Sequence, residues 1–121
     1  MAERIAGIAW VYVDGVQYPL RGNFTVSPSA VERTMIAGQD GVHGFQELPR
    51  VPYIEGDISM TGAVLLEDLE AQVNVTVVAQ LSNRTQYTLV EGTCRSGLDA
   101  NTRDGQVRVR WEGTSCEEIR I

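Results

Sequence analysis

Residues 106–112 read Gln-Val-Arg-Val-Arg-Trp-Glu, and this alternation decides the fold. Val107, Val109 and Trp111 alternate with polar neighbours, which makes one face of an extended strand apolar and the other polar. The same period of two runs through residues 17–27 and 73–81. Strands with one apolar face bury it against a second sheet, so the sequence predicts a mainly antiparallel β-sandwich or barrel.

Shorter apolar runs indicate further strands, at residues 8–13, 30–37, 53–61, 85–91 and 93–97. Asp14-Gly15 is a strong two-residue hairpin signal between the first two strands. Residues 65–72 contain three leucines at helical spacing, with acidic residues between them, and predict one short α-helix.

The segment from Gly38 to Pro52 reads Gly-Gln-Asp-Gly-Val-His-Gly-Phe-Gln-Glu-Leu-Pro-Arg-Val-Pro. Its three glycines and two prolines predict a long extended loop without regular structure. Loops of this length are usually functional or disordered. Four apolar side chains favour an ordered role for this one, and they predict contact with another chain. They are Val42, Phe45, Leu48 and Val51.

Length and charge narrow the classes of function. The 121 residues predict a single domain over residues 1–121, with a formal net charge of -6. An acidic chain is poorly suited to gripping nucleic acid, which requires cations that displace condensed counterions. No apolar run is long enough to insert in a membrane, and the first ten residues do not have the pattern of a secretion signal, so we expect a cytosolic origin. The ten basic residues are all arginine, which suits fixed subunit contacts, although a GC-rich genome would produce the same bias.

Candidate catalytic and metal-binding residues are few. His43 is the only histidine, and a hydrolase would have to combine it with Cys94 or Cys116. The two cysteines are predicted to be free thiols, and a role for His43 in a turn or an interface is favoured over catalysis. Residues 99–105 lack the spacing and terminal glutamate of a calcium loop and are predicted to form a turn. The sequence therefore predicts no enzyme, no cofactor and no metal site.

Several short motifs, taken in order, resemble the tail tube proteins of contractile-tailed, Mu-like bacteriophages. The most specific of them is Asp-Gly-Val-His-Gly-Phe at residues 40–45. The others are Arg-Ile-Ala-Gly at 4–7, Val-Asp-Gly at 13–15, Gly-Asn-Phe-Thr at 22–25, Pro-Tyr-Ile-Glu-Gly-Asp-Ile at 52–58 and Gly-Gln-Val-Arg-Val-Arg-Trp-Glu-Gly at 105–113.

This resemblance implies a structural protein of the virion tail, assembled in the cytoplasm of the bacterial host. Such subunits form hexameric rings that stack into a hollow tube. The implied partners are other copies of the chain, the tail sheath protein, the tape-measure protein, and the baseplate and tail-terminator proteins. DNA passes through the tube during ejection, without specific binding.

Within that interpretation the segment 38–52 is predicted to reach a neighbouring subunit. The predicted contact residues are Gly38, Asp40, Gly41, Val42, His43, Gly44, Phe45 and Arg50. Glu55, Asp57 and Glu112 are candidate lumen charges that would repel DNA, with outer-surface solubility as the competing explanation. The alternative function is a small β-barrel ligand-binding module in which residues 38–52 form a lid.

Overall fold

The computed structural model describes residues 9–62, 65–95 and 97–120. The strands are β1 Ala9–Val13, β2 Val16–Tyr18, β3 Leu20–Ser27, β4 Val31–Gly38, β5 Gly41–Pro49, β6 Tyr53–Ser59, β7 Val75–Leu81, β8 Thr85–Cys94, β9 Ala100–Asn101, β10 Gln106–Glu112 and β11 Ser115–Arg120. One helix, α1, spans Leu66–Glu70 between β6 and β7.

The main sheet runs in the order β2-β1-β7-β8-β10-β6-β3, with β11 beside β8 and β9 beside β10, and its strand pairs are antiparallel. The sheet forms two layers, one of β1, β2, β7, β8 and β11 and the other of β3, β6, β9 and β10. Strand β8 connects them, because its first part pairs with β7 and β11 whereas Thr93 and Cys94 pair with β10. The change of layer falls at Glu91, whose φ is 53°, and at Gly92. A Cβ on Gly92 would lie 3.1 Å from the carbonyl oxygen of Val75, a tight contact that favours glycine there. The predicted antiparallel β architecture with one short helix is confirmed.

The core forms where the alternating apolar faces meet. Val107, Val109 and Trp111 are essentially inaccessible to solvent, as the alternation predicts. The indole Nε1 of Trp111 donates to the side-chain oxygen of Gln72 at 2.8 Å, which satisfies its one polar group. Gln72 in turn donates to the Tyr18 hydroxyl at 2.9 Å. The segment after α1 is therefore fixed to the core and to β2.

The helix is shorter than predicted, and its apolar face is incomplete. Leu69 is buried, but Leu65 precedes the helix in an extended conformation and is 57% exposed. The predicted strand over residues 17–27 is divided at Pro19, which has no N–H to donate, and its two parts become β2 and β3.

Residues 38–52 do not form an irregular loop, and that prediction was wrong. Residues 41–49 form strand β5, which pairs with β4 in a two-stranded hairpin that belongs to neither layer of the main sheet. Gly41 and Gly44 have φ values of 131° and 147°, so the glycines accommodate a turn and a bulge within the hairpin instead of ending the strand. We call this hairpin, Val31–Pro49, the arm.

Two further predictions concern the turn before β10 and the first residues of the chain. Residues 101–105 form the predicted turn, which is held by hydrogen bonds between Asn101 and Asp104. Residues 4–8, which contribute to the resemblance and to the start of the first predicted strand, lie outside the described residues.

Candidate assembly surfaces

The arm presents an unusual amount of apolar surface to solvent. Every residue of β4 is exposed, as is every residue of β5 except Gly44. Its large apolar side chains are between 42% and 68% exposed, and they are Val31, Met35, Ile36, Val42, Phe45 and Leu48. Single exposed apolar residues are ordinary, but several on one small hairpin indicate an interaction surface.

A bulge in β5 brings Val42 and Phe45 to the same face of the arm. Phe45 pairs with Met35 and Val42 pairs with Ala37, so the register shifts by one residue around His43. Without that extra residue, positions 42 and 45 would point to opposite faces, because strand side chains alternate. The apolar face of the arm therefore consists of Val31, Met35, Ala37, Val42, Phe45 and Pro49, together with the Arg33–Glu47 ion pair.

Polar contacts hold the tip of the arm. The Nε2 atom of His43 lies 2.6 Å from an Asp40 carboxylate oxygen, and this hydrogen bond lowers the pKa of Asp40. A Cβ on Gly38 would lie 2.6 Å from the His43 ring, so the imidazole covers that glycine closely. His43 thus contributes to the turn at the arm tip, one of the two roles that the sequence favoured, and its predicted contact with a neighbouring subunit stays a prediction.

Most of the predicted contact residues meet in the outer half of the arm. They are Gly38, Asp40, Gly41, Val42, His43, Gly44 and Phe45. Arg50 lies apart from them at the base of the arm, where its N–H donates to the carbonyl of Ala30 at 2.9 Å. The prediction missed Met35 and Val31, which complete the apolar face from β4. Pairing the predicted strand 30–37 with residues 41–49 would have found them.

The three candidate lumen charges lie together on the outer face of β6 and β10. The strand register places Asp57 opposite Arg108, Glu55 opposite Arg110 and Tyr53 opposite Glu112. Each carboxylate is paired, through Arg108–Glu55 at 3.0 Å, Arg108–Asp57 at 3.3 Å and Arg110–Glu112 at 3.3 Å. The hydrogen bond with Glu55 is the largest cause that raises the pKa of Arg108; desolvation opposes it, and the charge of Glu55 and the contact with Asp57 add to it.

The three acids differ in their solvent exposure. Asp57 is only 5% exposed and also accepts a 2.8 Å hydrogen bond from Asn23, so it is mainly a structural group. Glu112 is more exposed, and Arg110 lies both beside it and 3.8 Å above the Tyr53 ring. Three acids and two arginines leave a charge of -1 on these five side chains, and Arg95 beside them offsets it.

A shallow recess of about 360 Å³ opens beside this cluster. It is lined by Glu55, Arg95, Gly97, Leu98, Arg108 and Arg110. No residue of the 38–52 segment lines it, so the arm does not act as its lid. Ligand pockets are typically apolar, whereas charged groups dominate this recess.

The cysteines lack the environment of a nucleophile. Burial, with a smaller contribution from the charge of Glu70, raises the pKa of Cys94 to about 11. Burial likewise raises the pKa of Cys116. Both thiols are free, and a catalytic cysteine requires a lowered pKa. His43 is bonded to Asp40 at the arm tip, so the structure does not assemble the hydrolase dyad.

The described ranges contain neither a candidate metal site nor a candidate membrane-spanning helix. In residues 9–62, 65–95 and 97–120, no group of three or more His, Cys, Asp or Glu side chains is placed to hold a metal ion. Within those same ranges, no helix has the length and apolarity needed to span a membrane.

Comparison with known proteins identifies the family. Residues 2–118 match the family model described as phage tail tube protein. The chain belongs to the phage tail tube protein family. It is 23% identical over 119 residues to the Mu-like prophage FluMu tail tube protein of Haemophilus influenzae, and the match covers 98% of this chain and 99% of that protein.

Two solved structures have the same fold as this tail tube protein. A sheath/tube terminator of an extracellular contractile injection system matches with a TM-score of 0.68 and 11% identity, covering 98% of each chain. A tube-terminating cap of an anti-feeding prophage matches with a TM-score of 0.65 and 12% identity, covering 93% of this chain and 88% of the other. The chain is thus a structural tail component, and membership of this family indicates a non-enzymatic role.

Proposed function

We propose that this tail tube protein assembles through its arm into stacked hexameric rings, which form the hollow inner tube of a contractile tail. The observation that carries the proposal is the apolar face of the arm, where Met35, Val42 and Phe45 are all at least 58% exposed in the single chain. A contact that repeats head to tail gives a ring when the rotation closes and a filament when it includes a rise. The arm supplies such a contact because its apolar face has no cover within its own described chain.

In the assembled tail the tube would lie inside the sheath and enclose the tape-measure protein. It would end at baseplate and terminator proteins and conduct DNA at ejection. Assembly in the host cytoplasm agrees with free thiols at Cys94 and Cys116.

The decisive test is electron microscopy of the purified protein and of Phe45→Ala. Phe45 is 58% exposed, so its truncation should leave the folded body intact but remove apolar contact area from the interface. We expect wild-type tubes or ring stacks and a severe loss of both in the variant. Ile119→Ala is the matched control, since Ile119 is an exposed apolar residue on β11, far from the arm in sequence. If Phe45→Ala forms tubes as readily as the wild type, the arm does not make this contact.

We further propose that the outer face of β6 and β10 lines the lumen. The three acids of this cluster are offset by its two arginines and by the neighbouring Arg95, so this face is close to neutral and would not retain passing DNA.

Ion conductance through assembled tubes tests whether the outer face of β6 and β10 lines the lumen. Glu112→Arg changes the charge of each copy by two units and should shift the ion selectivity of the tube towards anions. Glu117→Arg on β11 is the charge-matched control. Unchanged selectivity in Glu112→Arg tubes, or an equal shift in the control, would place the cluster elsewhere.

A further inference from the structure

We propose that the outer face of the layer formed by β1, β2, β7, β8 and β11 is the surface of the tube that contacts the tail sheath protein. We call it the low-charge face and define it by six outward side chains, which are Trp10, Tyr12, Val78, Thr88, Val90 and Ile119. This inference rests on the proposed function, and it adds the surface that meets the partner outside the tube.

Strand register joins these side chains into one continuous surface. Their sequence neighbours Val11, Val77 and Leu89 are fully buried, so the alternate residues of the same strands point away from the core. One row of cross-strand neighbours consists of Trp10, Gln80, Gln86 and Ile119. The next row consists of Tyr12, Val78, Thr88 and Glu117. Directly paired side chains are about 5 Å apart, so no gap separates the members of a row.

The composition of the low-charge face is that of a protein interface. Charged residues make up 21% of the sequence, but Glu117 is the single charged residue in these two rows. Trp10, Val90 and Ile119 are between 36% and 46% exposed. The core of an interface is likewise depleted of charge and enriched in aromatic side chains. The matching partner surface is therefore flat and poor in charge, with apolar groups for these three residues.

The opposite face of the sandwich has the contrary composition. The outer face of β6 and β10 carries paired acids and arginines, among them Glu55 and Arg108. The outward faces of two packed layers point in opposite directions. With the charged face on the lumen, the low-charge face points away from the tube axis and towards the sheath. The arm belongs to neither layer, so its contact between copies leaves the low-charge face free for another protein.

The size of the low-charge face agrees with a contact that is weak for each copy. Strands lie about 4.8 Å apart and rise about 3.3 Å per residue, so five strands of about five residues have a footprint of about 400 Å². Stable interfaces bury about 800 Å² on each partner. Many weak contacts along a tube hold the partner together, while each contact can separate. A sheath that contracts needs this property, because it moves past the tube.

Thiol labelling tests which protein covers the low-charge face. Ile119→Cys is the reporter, and Thr25→Cys is the control on the other layer, where Thr25 is exposed and pairs with Glu55. The labelling rate is measured in the free chain, in bare tubes and in tubes assembled with the tail sheath protein. The wild type measures the background from Cys94 and Cys116. We expect similar rates at Ile119→Cys in the free chain and in bare tubes, and a rate several-fold lower in sheathed tubes. The rate at Thr25→Cys should not change when the sheath is added.

The other outcomes separate this inference from the proposed function. Protection of Ile119→Cys in bare tubes would mean that a second copy covers the face. An unchanged rate in sheathed tubes would mean that the sheath binds elsewhere. Both results overturn the inference and leave the tube role standing. A wild-type protein that never forms tubes overturns the proposed function and this inference with it.

A second measurement is the fraction of sheath protein that sediments with tubes. Trp10→Ala should lower this fraction about tenfold, because truncation of an interface aromatic removes much of the contact energy. Tyr53→Ala is the matched aromatic control on the outer face of β6 and should leave the fraction unchanged. Ile119→Ala provides a second test on the low-charge face if Trp10→Ala does not fold. Unchanged sedimentation of the sheath with both variants of this face would overturn the inference.

Discussion

The sandwich body and the arm are built from the same kind of strand but differ in what covers their apolar side chains. In the body, Trp111 and Ile54 are fully buried by the second layer of the fold. In the arm, Phe45 and Met35 are directly paired across the hairpin yet are 58% and 66% exposed. A strand that is part of a sandwich stabilises the monomer, whereas an isolated two-stranded hairpin needs a partner to bury its face.

The largest expected effect separates folding from assembly. Trp111→Ala removes a fully buried side chain and leaves the Gln72 amide without its donor, so we expect a loss of about 3–5 kcal/mol in the free energy of unfolding. Phe45→Ala should change the same quantity by less than about 0.5 kcal/mol. Urea denaturation of the dilute protein measures both. Equal losses would mean that the arm is part of the folding unit.

A smaller difference is expected between two acidic residues. Asp57→Ala leaves the Asn23 amide without its acceptor and removes one of the partners of Arg108, which should cost about 1–3 kcal/mol. Glu47→Ala removes only the exposed 3.1 Å ion pair with Arg33, and it should cost less than about 1 kcal/mol. The two variants are compared by thermal or urea unfolding. A greater loss in Glu47→Ala would contradict the division into body and arm.

The smallest effect on the body is expected from Gly44→Ala. A Cβ meets no atom within 4 Å there, but the φ of 147° strains any other residue by about 1 kcal/mol or more. Relief of that strain would remove the bulge and turn Val42 away from the face of Phe45. Hydrogen exchange should therefore quicken in the arm alone, and tube formation should fall.

Gly22→Ala is the control for this substitution, since its Cβ also meets open space and its φ is not positive. Normal tubes from Gly44→Ala would show that the bulge is not needed for the contact.

Local patterns predicted the body well. The alternation at 106–112 and 73–81 identified strands whose buried faces are Val107, Val109, Trp111, Val77 and Ala79. The hairpin at Asp14-Gly15 and the turn at 101–105 followed from turn chemistry. These strand and turn predictions succeeded because strand periodicity and turn preference depend on residues that are close together in the sequence.

The glycines and prolines of residues 38–52 predict an irregular loop only if both residue types act as strand breakers, and in the arm they do not. Glycine at positive φ also permits a bulge, and which of the two occurs depends on whether β4 pairs alongside. For the candidate site, the sequence correctly selected Phe45 and Val42 as exposed apolar groups but omitted Met35, which contributes from the partner strand. The pairing of Asp57 with Arg108 likewise depends on register between strands far apart in the chain.

By itself the sequence determined the β class, the faces that are buried in the body and the resemblance to tail tube proteins, because each depends on local order along the chain. Tertiary structure alone decided the register of β4 on β5, the neutralisation of Glu55 and Asp57 by arginines, and the position of the arm outside both layers of the sandwich. The physical reason is that pairing between strands is non-local. A shift of one residue reverses every side chain of a strand, and only the folded partner fixes that shift.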